Sequence, residues 1–166
     1  AREVSLRAQN EGAVLLKNEN DTLPLGDKGV TLLGTRSHHY VLGGTGSAGG
    51  RDDASTVMMN TAFSNAGISY NENAWTWLNN AMGGGHATAV NNQYVASADS
   101  NRFSSSNWTS YQTILEFSRE TYEQFVTDSV IGNYDTAVVT LGRTGAEGAS
   151  PSLDYDGNGD TTTGRH

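Results

Sequence analysis

The chain has 166 residues and a net charge of −8, from 18 acidic and 10 basic side chains. This acidic balance excludes the basic patch expected of a nucleic-acid-binding protein, and no apolar run approaches the roughly 20 residues of a membrane-spanning helix. The absence of cysteine excludes disulfide bonds and thiol chemistry. We therefore expect neither nucleic acid nor a membrane among the partners. No charged-then-apolar leader is visible at Ala1, and secreted and cytoplasmic locations both stay open.

The first part of the chain predicts one helix and one strand. Residues 2–17 carry an imperfect apolar stripe, which predicts a helix packed through that stripe, with Gly12 as a weak point inside it. Pro24 favours an extended segment after this helix. The short apolar run Val30–Leu33 then predicts the first strand, which stops at Gly34.

A glycine-rich stretch follows this strand. Residues 44–49, with Gly44 and Gly46, satisfy the GxGxxG pattern of dinucleotide-binding loops. That fingerprint needs the strand to run directly into its first glycine, whereas nine residues separate Gly34 from Gly44. We interpret the stretch as a flexible loop at the end of the strand, and not as a nucleotide site.

His38, His39 and Tyr40 stand between the first strand and the glycine-rich stretch. An aromatic face and polar donors suit contact with a sugar ring, so these residues are candidates for substrate binding. The alternative is that both histidines are simply exposed. They lack partners at a helical i, i+4 spacing, so we predict no metal site there.

The middle of the chain predicts further helices and strands. Residues 55–66 form an amphipathic pattern with Val57, Met58, Ala62 and Phe63 inward, and Gly67 ends it. The later predicted elements are a strand at 68–70, a helix at 71–82 with Trp75, Trp77 and Leu78 on or near its buried side, and a helix at 121–130. Residues 83–107 are polar and predict no regular element. The alternation of strands and helices predicts an α/β fold with a mostly parallel sheet.

The last predicted strand leads into the strongest candidate for chemistry. The continuous apolar run at 137–141 is typical of a strand covered on both faces, and it stops at Gly142. Arg143 and one carboxylate, Glu147, follow among small residues. Loops at the carboxyl ends of parallel strands carry ligands and chemistry, so we predict that Glu147 is catalytic. The alternative is a solvated acid that pairs with Arg143.

Four stretches carry a resemblance to a known family. They are EGAVLLKNENDTLPL at 11–25, VTLLG at 30–34, GGTGSAGG at 43–50 and LGRTGAEG at 141–148. In this order they resemble the α/β sandwich domain of glycoside hydrolase family 3, which includes β-glucosidases, β-xylosidases and related exo-acting enzymes. The resemblance covers nearly the whole chain. The chain departs from the family at Ala146, where glycine is usual, and at 149–151, which read Ala-Ser-Pro where Asp-Arg often follows.

The resemblance implies a fold and a function. Residues 1–166 would be the N-terminal portion of one sandwich domain, a mostly parallel sheet sandwiched by helices. The rest of that domain and a companion (β/α)8 barrel with an aspartate nucleophile would lie outside this chain. Glu147 would be the general acid/base of a retaining hydrolase that acts on a β-linked oligosaccharide or glycoside, without a cofactor. The residues at the same edge, Arg143, His38, His39, Tyr40, Gly44 and Gly46, would bind substrate. The two departures favour an alternative, a non-catalytic carbohydrate-binding or structural module.

The tail contains a partial calcium-loop pattern. Asp154, Asp156, Asn158 and Gly159 fit the first six positions of an EF-hand loop. Arg165 stands where a bidentate glutamate is required. A hydrated polar turn is therefore the favoured interpretation, and we predict no metal.

Overall fold

A computed structural model describes residues 2–26, 28–40, 56–84, 90–103, 116–127, 130, 132, 134 and 136–142. Within these residues the chain forms six helices and two strands. In chain order they are α1 (Arg2–Gly12), β1 (Val30–Leu33), α2 (Thr35–His38), α3 (Met59–Asn65), α4 (Glu72–Ala81), α5 (Ser97–Arg102), α6 (Arg119–Phe125) and β2 (Thr136–Val139).

The two strands form a parallel sheet in the register Val30 to Thr136 through Leu33 to Val139. On its other side, β1 makes a single parallel bridge between Val30 and Tyr70, where the sequence predicts a strand at 68–70. The predicted strand thus shrinks to one bridge, held by the hydrogen bonds from Val30 N–H to Ser69 O and from Asn71 N–H to Val30 O. The combination of helices and a parallel sheet is an α/β arrangement, as predicted.

The two strands differ in burial. β1 has buried residues at its first three positions, as expected of a strand covered on both faces. β2 instead alternates between half-buried and exposed residues, and Val139 is 54% exposed. The prediction that this strand is covered on both faces and reaches Leu141 is therefore wrong for the described residues. An apolar run shows that a strand could be buried on both faces. It does not show whether another element covers each face.

Helix α4 packs against β1. The side chain of Asn71 accepts a hydrogen bond from Ala74 N–H and caps the helix, which then buries Trp77 and Leu78. These two side chains join the main apolar cluster with Phe103 and Phe117. The predicted helix at 71–82 and its inward face are confirmed, with Trp75 half-buried beside it.

Helix α3 is shorter than the predicted helix at 55–66. It begins at Met59, after an extended Met58, while Val57 and Ala62 are exposed. Gly67 has φ +74°, and the N–H groups of Gly67 and Ile68 donate to the carbonyls of Ser64 and Phe63. This is the Schellman arrangement, so the predicted helix end at Gly67 is confirmed.

Helices α5 and α6 differ from the elements predicted for their parts of the sequence. Helix α5 lies within 83–107, where the sequence pattern predicts nothing regular. Helix α6 begins two residues before the predicted start, because the hydroxyl of Ser118 accepts from Thr121 N–H and caps it. It ends at Phe125, well before the predicted end at Val130.

Residues 2–24, the N-terminal arm, are all exposed. Helix α1 ends at Gly12 instead of the predicted Lys17, since glycine is a poor interior helix residue. It has no buried residue, so the predicted packing through its apolar stripe is wrong for the described residues. Beyond it, Val14, Leu15 and Leu16 are exposed on chain without regular secondary structure, Leu16 by 92%.

Candidate functional site

The carboxyl ends of β1 and β2 meet at one edge, which we call the candidate edge and define as residues 34–40 and 140–142. Thr140 N–H donates to Leu33 O over 3.4 Å, which extends the pairing past β2. The hydroxyl of Ser37, in α2, lies 2.5 Å from Leu33 O and 3.0 Å from the hydroxyl of Thr140. The prediction that Gly34 and Gly142 follow their strands at the same edge is confirmed by the parallel register.

Three of the seven predicted site residues lie in the described part of the chain. His38 closes α2, and His39 and Tyr40 follow it directly at the candidate edge. The other four lie outside the described residues: Glu147, Arg143, Gly44 and Gly46. The structure therefore brings together the chain segments that lead to the predicted site, namely 34–40 and 140–142.

Both histidines are buried, so the alternative that they are simply exposed is wrong. His38 is 1% exposed, and its Nε2 lies 3.0 Å from Oδ1 of Asn79 in α4. Its ring stacks on Trp75, with the ring centres 5.4 Å apart, and lies almost parallel to the ring of His39. His39 is 7% exposed, and its carbonyl accepts from Nη1 of Arg36 over 3.2 Å. Tyr40 is half-buried.

Glu116 is hydrogen-bonded to the candidate edge, and it is not among the residues predicted from the sequence. Its Oε2 accepts from Thr35 N–H over 2.8 Å and lies 3.4 Å from the Thr35 hydroxyl. Its Oε1 accepts from Phe117 N–H over 2.7 Å and from the Tyr122 hydroxyl over 2.8 Å. One feature of the sequence could have indicated it: Glu116 is an acid within the otherwise apolar run ILEF at 114–117.

Arg36 is a buried cation at the same edge, and no pattern in the sequence predicts its burial. Burial lowers the pKa of its guanidinium, while the negative charge of Glu116 acts in the opposite direction. Because a buried charge is costly unless it is compensated, Glu116 also serves as the electrostatic counterpart of Arg36.

Asp99 fixes the segment that carries Glu116. Its Oδ2 accepts from Ser118 N–H at 2.8 Å, from the Ser118 hydroxyl at 2.9 Å and from the Thr121 hydroxyl at 2.5 Å. The Thr121 hydroxyl in turn accepts from Ala96 N–H over 2.9 Å. Helices α5 and α6 are thus joined by one buried carboxylate. Since Ser118 is two residues after Glu116, this joint limits where Glu116 can lie.

An open cavity of about 390 Å³ lies at the other end of the sheet. Its lining includes Tyr70, which pairs with the first residue of β1, and Tyr134, which comes shortly before β2. A side chain at Gly29 would overlap the ring of Tyr134, so this end is closely packed beneath the cavity. The cavity is separate from the candidate edge, where the predicted residues converge.

Comparison with known proteins found no match: no family model, no curated protein and no solved structure matches the chain. Among the described residues, no group of three or more histidine, aspartate or glutamate side chains could hold a metal ion. No helix in the described part of the chain is long and apolar enough to cross a membrane.

Proposed function

We propose that the chain is the first part of the α/β sandwich domain of a retaining, exo-acting glycoside hydrolase, similar to family 3 β-glucosidases, and that Glu147 is its general acid/base. The observation that carries this proposal is the candidate edge. The segment with His38, His39 and Tyr40 leaves β1 there, and Leu141 and Gly142 leave β2 beside it, five residues before Glu147. Open α/β sheets bind ligands at such an edge.

The chemistry requires two carboxylates about 5–5.5 Å apart, one as nucleophile and one as acid and then base. Glu147 would take the second role. The nucleophile, an aspartate, would come from the companion (β/α)8 barrel, which would face the candidate edge. A terminal β-linked sugar would bind between the two domains.

The protonation state of Glu147 sets a requirement on Arg143. A general acid needs a carboxyl pKa that is raised toward the working pH, and the negative charge of the nucleophile would raise it. A direct ion pair with Arg143 would lower it. We therefore expect Arg143 to point to the substrate in the assembled enzyme.

The remaining predicted residues would have unequal roles. Tyr40 is half-buried and can offer its ring to a sugar, whereas the buried His38 and His39 would support the wall behind it. Gly44 and Gly46 would let the following loop approach the substrate closely. The two described strands would be the start of a larger, mostly parallel sheet sandwiched by helices.

The test is Glu147→Ala in the assembled enzyme. We expect hydrolysis of glycosides with poor leaving groups to slow by roughly 10²- to 10⁴-fold, because these leaving groups need protonation. Activated aryl glycosides should form the glycosyl-enzyme at a rate closer to that of the wild type. Azide should restore their turnover, since a small anion attacks without a general base.

Two controls accompany this test. Glu120→Ala removes an exposed acid from α6 and should leave both substrate classes at wild-type rates. The isolated chain should hydrolyse no aryl glucoside, because the nucleophile is elsewhere. Wild-type rates in Glu147→Ala for both classes would contradict the proposal. That result would favour the non-catalytic carbohydrate-binding module, which Ala146 and the missing Asp-Arg support.

A further inference from the structure

Glu116 stands where the two strands and α2 come together. Gly34 has φ +92° and begins α2 without a side-chain cap. A Cβ at Gly34 would lie 3.1 Å from Thr140 O and 3.4 Å from Oε2 of Glu116. The carboxylate therefore sits next to the end of β1 and close to the first residue after β2.

The two oxygens of Glu116 hold two different parts of the protein. Oε2 binds the N–H of Thr35, the first residue of α2, and supplies the cap that glycine cannot. Oε1 binds the Tyr122 hydroxyl in α6. Because Asp99 fixes the start of α6, the carboxylate links α2 to a well-held part of the core.

Helix α2 is short, so its position depends on such links. It has four residues, and all four are buried. Ser37 ties it to Thr140, and His38 ties it to Asn79. Glu116 adds a link to Thr35, the first residue of α2, at the point where the chain leaves β1.

We propose that Glu116 is a positioning residue of the candidate edge: it holds residues 35–40 in place relative to the end of β2, after which Arg143 and Glu147 follow. This inference rests on the proposed function, because there Tyr40 contacts the sugar and the rest of residues 35–40 supports it. Glu116 itself does not contact the substrate. Its loss would displace the sugar-binding segment without removing the proton donor from the chain.

The test is Glu116→Gln in the assembled enzyme. Glutamine keeps the size of the side chain, but its amide nitrogen cannot accept the hydrogen bonds of one carboxylate oxygen. We expect kcat/KM to fall roughly 10- to 100-fold, mainly through KM, since small misplacements of a bound substrate have effects of this size. The fall should be equal for good and poor leaving groups, in contrast to that of Glu147→Ala.

Two further variants distinguish a positioning role of Glu116 from nonspecific destabilisation of the protein. Tyr122→Phe removes one of the hydrogen bonds and keeps the carboxylate, so it should give a smaller fall in kcat/KM and still fold. Glu120→Gln, an exposed acid in the same helix as Tyr122, should change nothing. An unchanged kcat/KM in Glu116→Gln, or a fall confined to poor leaving groups, would overturn the proposal.

A second measurement does not depend on activity. Backbone amide hydrogen exchange over residues 35–40 should be faster in Glu116→Gln than in the wild type and in Glu120→Gln. Equal exchange would overturn the positioning role, whatever the activity. If exchange were faster in Glu116→Gln but the wild type hydrolysed no glycoside, the role of Glu116 in holding residues 35–40 would stand. The proposed function would then be rejected.

Discussion

At the scale of single residues, Tyr122 should make the stability of the protein depend on pH. The half-buried side chain donates a hydrogen bond from its hydroxyl to the Glu116 carboxylate. Burial and this negative charge raise the pKa of the phenol, while a contact with the Gly34 backbone opposes the shift. The folded protein therefore keeps the phenol proton at a pH where the unfolded chain, with a pKa of about 10, releases it. The resulting stability is fully present below about pH 10 and is lost as the pH rises toward the folded pKa.

The prediction concerns the free energy of unfolding above about pH 10 in wild type and in Tyr122→Phe. The wild type should lose about 1.4 kcal/mol more per pH unit than the variant, which has no phenol to titrate at this position. Urea unfolding at several pH values measures this difference. Tyr70→Phe, which removes a phenol at the other end of the sheet, is the matched comparison. Parallel curves for the wild type and Tyr122→Phe would contradict the prediction.

The individual residues of the candidate edge were only partly predictable. His38 and His39 could be chosen from the sequence, because they lie in the segment between the first predicted strand and the glycine-rich stretch. Their burial could not, since it depends on Trp75 and Asn79 in another helix. Glu116 was missed because its partner Thr35 lies 81 residues away in the chain, and a local pattern contains no information about such a contact.

At the scale of elements, the turn between β1 and α2 is the point most sensitive to substitution. Gly34→Ala should destabilise the protein by about 1–3 kcal/mol through backbone strain alone, because φ +92° is unfavourable for any side chain. The close approach to Thr140 O and Glu116 should add to this cost. Thermal or urea unfolding of the variant measures the total.

Gly67→Ala is the control for the Gly34 substitution. Gly67 also has a positive φ, of +74°, but a Cβ there meets nothing within 4 Å. Its substitution should therefore be less destabilising than that of Gly34. If the two variants were equally stable, crowding at the candidate edge would have no energetic consequence.

The elements that were predicted well are those whose signals are local. Helix α4 combines a capping asparagine with an apolar stripe, and both signals lie within its own sequence. Strand β1 is likewise bounded by its apolar run. The exposure of α1 and of one face of β2 could not be predicted, because an apolar pattern does not show whether another element covers it.

At the scale of the whole molecule, the N-terminal arm has more exposed apolar surface than solubility favours. Leu15 and Leu16 are exposed by 61% and 92%, and they lie after α1 on chain without regular secondary structure. We expect the double variant Leu15→Ser with Leu16→Ser to reduce self-association of the isolated chain. The free energy of unfolding should change by no more than about 0.5 kcal/mol, because the two side chains bury little.

Analytical ultracentrifugation over a range of concentrations measures the self-association, and urea unfolding measures the stability. Leu78→Ser, a fully buried position in α4, is the comparison and should be strongly destabilising. A marked loss of stability in the arm variant would show that the arm packs against the core. Unchanged self-association would mean that another surface, such as the exposed side of β2, is responsible.

The pairing of β1 with β2 also has a consequence for the order of folding during synthesis. Ser37 and Thr140 are 103 residues apart in the chain, and Thr35 and Glu116 are 81 apart. Contacts of such long range form slowly, because a long loop must close before they yield any stabilisation. On the ribosome, β1 and α2 emerge long before β2 and spend that time without their partners. The candidate edge is therefore among the last parts of the described chain to form, and a nascent chain stalled before Thr136 would contain residues 34–40 without the strand that pairs with β1.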